Sequence, residues 1–506
     1  MLLLFLPIST LVHLLRTMES LSDTQWDVVI SGTGLQQSLL ALALSRSGKK
    51  ILHVDPNEYY GGTEAALSLQ DAEAWAERYS GQGGARPFSA AHIATENEGL
   101  AASRSYSLPL APQLIHARSE LVNQLVSSKA FRQIEFLACG SFFIYQAAEE
   151  SSESSLSRIP STREDVFSNT IIPARAKRRL MKFLKFVFEY DSEQGAELWK
   201  PKASQPLAEF LENEFNLDSN LQSYVVTLTL SPDGKITVCD GLAAIHRHLT
   251  SMGVFGAGFA AVYPKWGGLS EVAQVGCRAG AVGGAVYMLG TGICDVQCAE
   301  SDGEACIEAS LTNGLTVKSK RLVRNMDSLS SQGVCLTRLI AIVESHLPSM
   351  FDIIVEGAPT PCTAVVAFPV GSVSANDGTT SGFPIYALVH SSDTGTIYLS
   401  TISSSNSKSL LDKALSSFLD AISTPEPVKC LWRMSYEQTT GTGSFSAKES
   451  IGAFDPITAD LAFNDSTLTA VNEACQFVGG VEEEEYMKFD DREGVNDDYD
   501  DDAFDS

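Results

Sequence analysis

"VVISGTGLQQSLLALALSRSGKKILHVDPNEYYGG", Val28 to Gly62, is the stretch whose reading decides the fold. Residues 26–31 read as a buried strand. Residues 35–47 read as a helix with Leu35, Leu39, Leu42 and Ala43 on one face, ended by Gly48. Residues 51–54 read as a second strand, which completes a βαβ unit. Between strand and helix stand Gly32 and Gly34, the first two glycines of a G-x-G-x-x-G dinucleotide fingerprint. The third position is Gln37. Asp55 follows Gly32 by 23 residues, where a ribose-binding acid belongs. Strand, turn, helix, strand and acid therefore support a Rossmann-type α/β fold. A side chain at position 37 argues against a cofactor, because it crowds the helix against the sheet or against the phosphates. The sequence favours a purely structural turn.

The stretch ends in "DPNEYYGG", with Tyr59 and Tyr60 before two glycines. An exposed tyrosine pair suits a protein contact, since Tyr offers a large area at low entropic cost. From the residues alone, buried packing tyrosines are the plainer expectation.

Further along the chain, residues 63–105 read as loop with some helix. "FRQIEFLACGSFFIYQ" (131–146) reads as two short strands, and "AAEESSESSLS" as a polar linker. Residues 161–250 change character, with a strongly helical "ARAKRRLMKFLKFVFEY" (174–190) and further helical stretches. Gly-rich and strand-rich sequence returns after about residue 255. The expected architecture is a discontinuous α/β domain (18–160 and 251–480) carrying a smaller helical domain (161–250). An acidic disordered tail (481–506) follows, and residues 1–17 read as an extension before a natural start at Met18.

The chain has 506 residues and a net charge of −26, with mean hydropathy near zero. That charge argues against nucleic acid and against lasting attachment to anionic membranes. Residues 482–506 alone hold 13 acidic and two basic residues. Ten cysteines without a CxxC pair read as reduced, mostly buried thiols; Cys294 and Cys298 are a weak zinc signal without a second pair.

Three stretches carry a resemblance. The Trp26–Gly62 stretch is similar to the first signature of the family uniting Rab GDP-dissociation inhibitors and Rab escort proteins. "YPKWGGLSEVAQVGCRAGAVGGAVYML" (263–289) resembles its second. "IPSTREDVFSNTIIPARAKRRLMKFLKFVFEY" (159–190) resembles the start of its helical domain. The likeness runs in order over roughly residues 26–480. It implies a flavoprotein-like (FAD/NAD(P)-binding) α/β domain that has lost flavin chemistry, with no cofactor and no catalytic residue.

By the same resemblance, Tyr60, Glu271 and Arg278 stand for the platform that contacts GDP-bound Rab. One residue is inserted between Pro264 and Glu271 relative to the inhibitors. Phe167 and Arg178 match the positions through which escort proteins dock the Rab geranylgeranyltransferase heterodimer. Without the resemblance, Phe167 reads as core and Arg178 as part of a solvated basic face with Lys177, Arg179, Lys182 and Lys185. The acidic end also resembles fungal-type escort proteins. The implied role is a cytosolic escort that presents unprenylated Rab to the transferase, holds the geranylgeranyl lipid and touches membranes transiently. A recycling inhibitor and a flavin-dependent oxidoreductase are the alternatives.

Overall fold

The computed structural model describes residues 21–490 except 82–85, 97, 148–153, 161–165, 168–171, 302–303, 327–332, 352, 354–356, 358, 376, 392–394, 423–426 and 483. The extension 1–17 and the tail beyond residue 490 lie outside the described residues.

The βαβ unit forms as read. Strand β1 (Gln25–Ser31) leads through the glycine turn into helix α1 (Leu35–Leu44), which returns to strand β2 (Ile51–Asp55). All ten residues of α1 are buried, so it is covered all round rather than on one face, with Gln36, Gln37 and Ser38 hydrogen-bonded inside. It ends at Leu44, three residues before the expected end, and Gly48 takes a left-handed φ of 69° in the return loop. β1 lies inside an eight-stranded sheet, parallel to β2 on one side and to Thr316–Asn325 on the other. Val286–Leu289 extends the parallel set beyond β2, and Glu304–Leu311 and Ile293–Ser301 add antiparallel strands at the far side. Helices Leu269–Val282 and Ser466–Phe477 pack against α1 over one face of this sheet.

A second, ten-stranded sheet is mostly antiparallel and contains Phe136–Gln146. Residues 131–146 are thus one strand after a short 3-10 turn (Ala130–Gln133), not two strands. Gly140 does not break it: an added Cβ there would stand 2.7 Å from Pro361, so the glycine serves a close approach. Residues 63–105 are more regular than expected, with helix Leu69–Arg78 and strand Phe88–Thr95.

The helical insertion comprises Ala174–Phe188, Glu193–Trp199, Leu207–Phe215, Ser219–Leu228 and Val238–Ser251. In its first helix Ala176, Leu180, Phe183, Leu184 and Val187 recur on one buried face. Ser192, Asp218 and Thr237 accept backbone N–H groups as N-caps of three of the others. The insertion does not own a separate core. Phe183, Leu211 and Ile245 belong to the same buried cluster as Phe142, Val365 and Leu388 of the second sheet.

The body also extends further than expected. Val481, Tyr486 and Phe489 pack against the buried cluster that contains Met487, which is 1% exposed. The tail reading of 481–506 is corrected to begin no earlier than residue 491, because two aromatic residues and a methionine give this end enough apolar surface to dock. Of the ten free cysteines, four are buried, three intermediate and three (Cys239, Cys294, Cys298) exposed, so "mostly buried" is also corrected.

Candidate functional site

The fingerprint turn is built as the sequence implies and then filled by the chain itself. Gly32 takes φ 97°, a conformation that favours glycine. Gly34 precedes the first turn of α1 in extended geometry. A free helix N-terminus of this kind would attract an anion. Here the Glu64 carboxylate accepts the Leu35 N–H at 2.9 Å. Gly62 packs on the turn so closely that a Cβ would stand 3.1 Å from Gly34 Cα. Gln37 is buried, with its side chain beside Gly32 and Gly34 and its amide donating to Asn325 Oδ1. Asp55 is turned inward. Its Oδ2 accepts from Thr33 N at 2.6 Å and Thr33 Oγ1 at 2.7 Å, and its Oδ1 from Asn57 N at 2.7 Å.

Burial pushes the carboxyls of both Asp55 and Glu64 above their ordinary range. A dinucleotide diphosphate would have to displace Glu64 and Gln37, and Asp55 has no oxygen left pointing outward for a ribose. The residues present do not fit a flavin or nicotinamide dinucleotide. Among the described residues no cluster of His, Cys, Asp or Glu could hold a metal ion.

Beside the filled turn lies the face formed by Tyr60 and helix Leu269–Val282. Tyr60 is half-buried, its ring 6.4 Å from that of Tyr287, which in turn lies 4.7 Å from His53. Tyr59 packs at the edge of the large core. The tyrosine pair is therefore neither fully buried nor fully exposed. Tyr287 also fixes the helix: an added Cβ on Gly280 would meet its hydroxyl at 2.6 Å. Glu271 and Arg278 sit about two helical turns apart on this helix, which puts them on one side of it. Arg278 is exposed. Glu271 is only half-exposed, and its carboxylate accepts Trp266 N–H at 2.9 Å and Glu135 N–H at 3.3 Å. Burial raises its pKa. Glu271 thus first closes the loop before its own helix, a role its spacing did not reveal.

That loop carries a feature the sequence reading missed. Trp266 is 60% exposed, yet Lys265 Nζ lies 4.6 Å above its ring and its Nε1 donates to Glu135 at 3.3 Å. Also missed was an apolar groove of about 310 Å³ lined by Leu125, Val126, Phe131, Phe136, Phe255 and Phe259. Its walls come from separate segments, so no local pattern announces it.

On the helical insertion Phe167 is 61% exposed and Arg178 is exposed. The carbonyl of Phe167 accepts Lys177 Nζ at 3.0 Å, which ties the two positions to one region. The reading of Phe167 as core is corrected. The basic face is partly engaged: Arg179 donates to the Asn216 carbonyl and Lys182 lies over the Phe215 ring.

The family profile described as GDP dissociation inhibitor matches residues 22–352. The chain is 30% identical to "Rab proteins geranylgeranyltransferase component A" of Saccharomyces cerevisiae, over 74% of this chain and 61% of that protein. It is 32% identical to the Candida albicans protein of the same name, over 53% of this chain and 41% of that one. A guanosine nucleotide diphosphate dissociation inhibitor of Arabidopsis thaliana is 29% identical over 65% of this chain. The chain thus spans less than two thirds of the fungal relatives it matches. Among solved structures, a Rab GDI of Plasmodium falciparum aligns with TM-score 0.62 and 17% identity, over 90% of this chain and 98% of that one. An oxidoreductase of Methanosarcina mazei aligns with TM-score 0.55 and 10% identity, over 89% of this chain and 99% of that one. Both describe the fold alone.

Proposed function

Because the chain belongs to the GDP dissociation inhibitor family, we propose that it is a Rab escort protein rather than an enzyme. In this reading it binds newly made, GDP-bound Rab through Tyr60, Glu271 and Arg278. It presents the Rab C-terminal cysteines to a separate geranylgeranyltransferase held by Phe167 and Arg178. It then keeps the lipid out of water until membrane delivery. Each buried CH₂ of such a lipid contributes about 0.8 kcal/mol, so the task needs an apolar surface and no reacting group. The observation that carries the escort reading is that Phe167 and Arg178 are both exposed, in a chain 30% identical to a yeast transferase component A. A large aromatic 61% exposed on a helical insertion suits an interface anchor, and an exposed Arg offers a planar fork of donors.

The described residues contain no helix long and apolar enough to cross a membrane; in this reading the carrier is cytosolic and visits membranes through its cargo. The recycling-inhibitor reading shares the platform and draws on the Arabidopsis relative.

Reconstitution separates the two. Phe167→Ala combined with Arg178→Ala is expected to abolish transferase binding and Rab prenylation while Rab–GDP affinity stays at the parent value. Tyr60→Ala or Arg278→Ala is expected to weaken Rab–GDP binding by about thirtyfold, the cost of losing a hot spot of about 2 kcal/mol. Normal prenylation by the double variant would favour the recycling inhibitor. Unchanged Rab affinity in both platform variants would remove the platform.

A further inference from the structure

Next to the platform, the end of α1, the turn after helix Glu120–Ser127 and the outer side of helix Leu269–Val282 enclose a cavity of about 320 Å³. Its lining includes four cations, Arg46, Lys129, Arg132 and Arg278, in a protein whose net charge is −26. The same lining includes Phe489 and Asp490. The chain is fastened there at several points. Met487 is buried, and Phe489 N–H donates to the Ser127 carbonyl at 3.0 Å. The Arg46 guanidinium lies 4.5 Å over the Phe489 ring and donates to the Asp490 carbonyl at 2.7 Å. The described chain therefore ends, at Asp490, in the lining of the cavity. Residues 491–506 hold eight acidic side chains and one basic one.

We propose that segment 491–506 of this chain docks in the cation-lined cavity and covers Arg278. Charge complementarity favours this occupant over any other part of so acidic a molecule. The anchor at Phe489 makes the contact intramolecular, with an effective concentration on the order of millimolar, so individually weak ion pairs suffice. Sixteen extended residues reach roughly 50 Å, ample to cross the cavity and return. Docking does not depend on the Rab reading. If that reading holds, the segment competes with Rab for Arg278, and a partner must displace it.

The test titrates a fluorescein-labelled peptide of residues 491–506 against full-length proteins, read by anisotropy. The parent is expected not to bind, because its own segment fills the site. A full-length variant with Asp497→Asn, Asp498→Asn, Asp500→Asn, Asp501→Asn and Asp502→Asn is expected to bind saturably. That binding is expected to fall about tenfold on going from low salt to about 0.3 M salt, where exposed charges are screened. Adding Arg132→Glu and Arg278→Glu, both at exposed positions, is expected to abolish it. Absence of binding to the Asn variant, or equal binding to parent and variant, overturns the proposal. A parent that sediments as a dimer, dissolved by the Asn substitutions, would place the segment on a second copy and overturn the intramolecular form. None of these readouts uses Rab, so failure here is distinguishable from failure of the escort reading.

Discussion

Glu64 shows how a single side chain converts a ligand site into structure. The first N–H groups of a helix lack intrahelical partners and favour a negative charge. In a dinucleotide-binding protein the ligand would supply that charge; here Glu64 accepts the Leu35 N–H from within the chain. Glu64→Ala leaves a buried donor without a partner and is expected to cost about 1–3 kcal/mol in urea unfolding. Glu64→Gln keeps an acceptor and is expected to cost much less. If Ala and Gln were equally harmless, the carboxylate would not be supporting the turn. The spacing of Asp55 from Gly32 was legible in the sequence. The role of Glu64 was not, because it arises only when the turn carrying Gly62 folds back onto Gly34.

The contact between helix Leu269–Val282 and α1 is set by glycines. An added Cβ on Gly276 would stand 2.5 Å from the Ser38 carbonyl, and one on Gly283 2.0 Å from the Ser45 carbonyl. Helix propensity alone predicts that Gly→Ala stabilises by about 1 kcal/mol. Overpacking costs about 1–3 kcal/mol, and against rigid backbone it wins. Gly276→Ala is therefore expected to lower stability in thermal unfolding, and it would also shift the helix that carries Glu271 and Arg278. A stabilised variant would show that the two helices have room to part. The C-terminal element obeys the same accounting of surface. Removing residues 491–506 strips only exposed ion pairs and is expected to lower the thermal midpoint slightly. Removing 482–506 also strips Met487, whose full burial contributes about 1.5–3 kcal/mol, and is expected to lower the midpoint measurably. Equal midpoints for the two truncations would contradict the docking of residues 486–489.

At the scale of the whole molecule, buried histidines link stability to pH. Burial holds His53, His248 and His390 down at about 4, and lowers His116 as well. In the unfolded chain each titrates near 6.5. Between those values the unfolded state binds protons that the folded state refuses. Their contribution is therefore complete above about pH 6.5 and is lost as pH falls toward 4. The raised carboxyls of Asp55, Glu64 and Glu271 work in the opposite sense, gaining stability as they take up protons. A substitution isolates one group. His53→Gln retains a donor to the Gly32 carbonyl and removes the titration. Its stability is expected to fall less between pH 7 and about 5 than the parent's, by up to about 1.4 kcal/mol per pH unit. Parallel profiles would show that His53 does not titrate as its burial dictates.

The sequence by itself determined what short-range pattern can encode. β1, α1 and β2 follow from apolar runs punctuated by glycine, and the first helix of the insertion from apolar residues recurring on one face. The three signatures also single out Tyr60, Glu271, Arg278, Phe167 and Arg178 as candidate contacts, whose exposure they could not give. Tertiary structure decided what fills the fingerprint turn, that Glu271 is engaged by backbone, that Phe167 is exposed rather than core and that the body runs on to Phe489. Each of these depends on partners far apart in the chain. Gln37 meets Asn325 across 288 residues, and Arg46 meets Asp490 across 444. Local propensity carries no trace of such pairs, because their energy exists only once the intervening sheets have closed and brought residues hundreds of positions apart into contact.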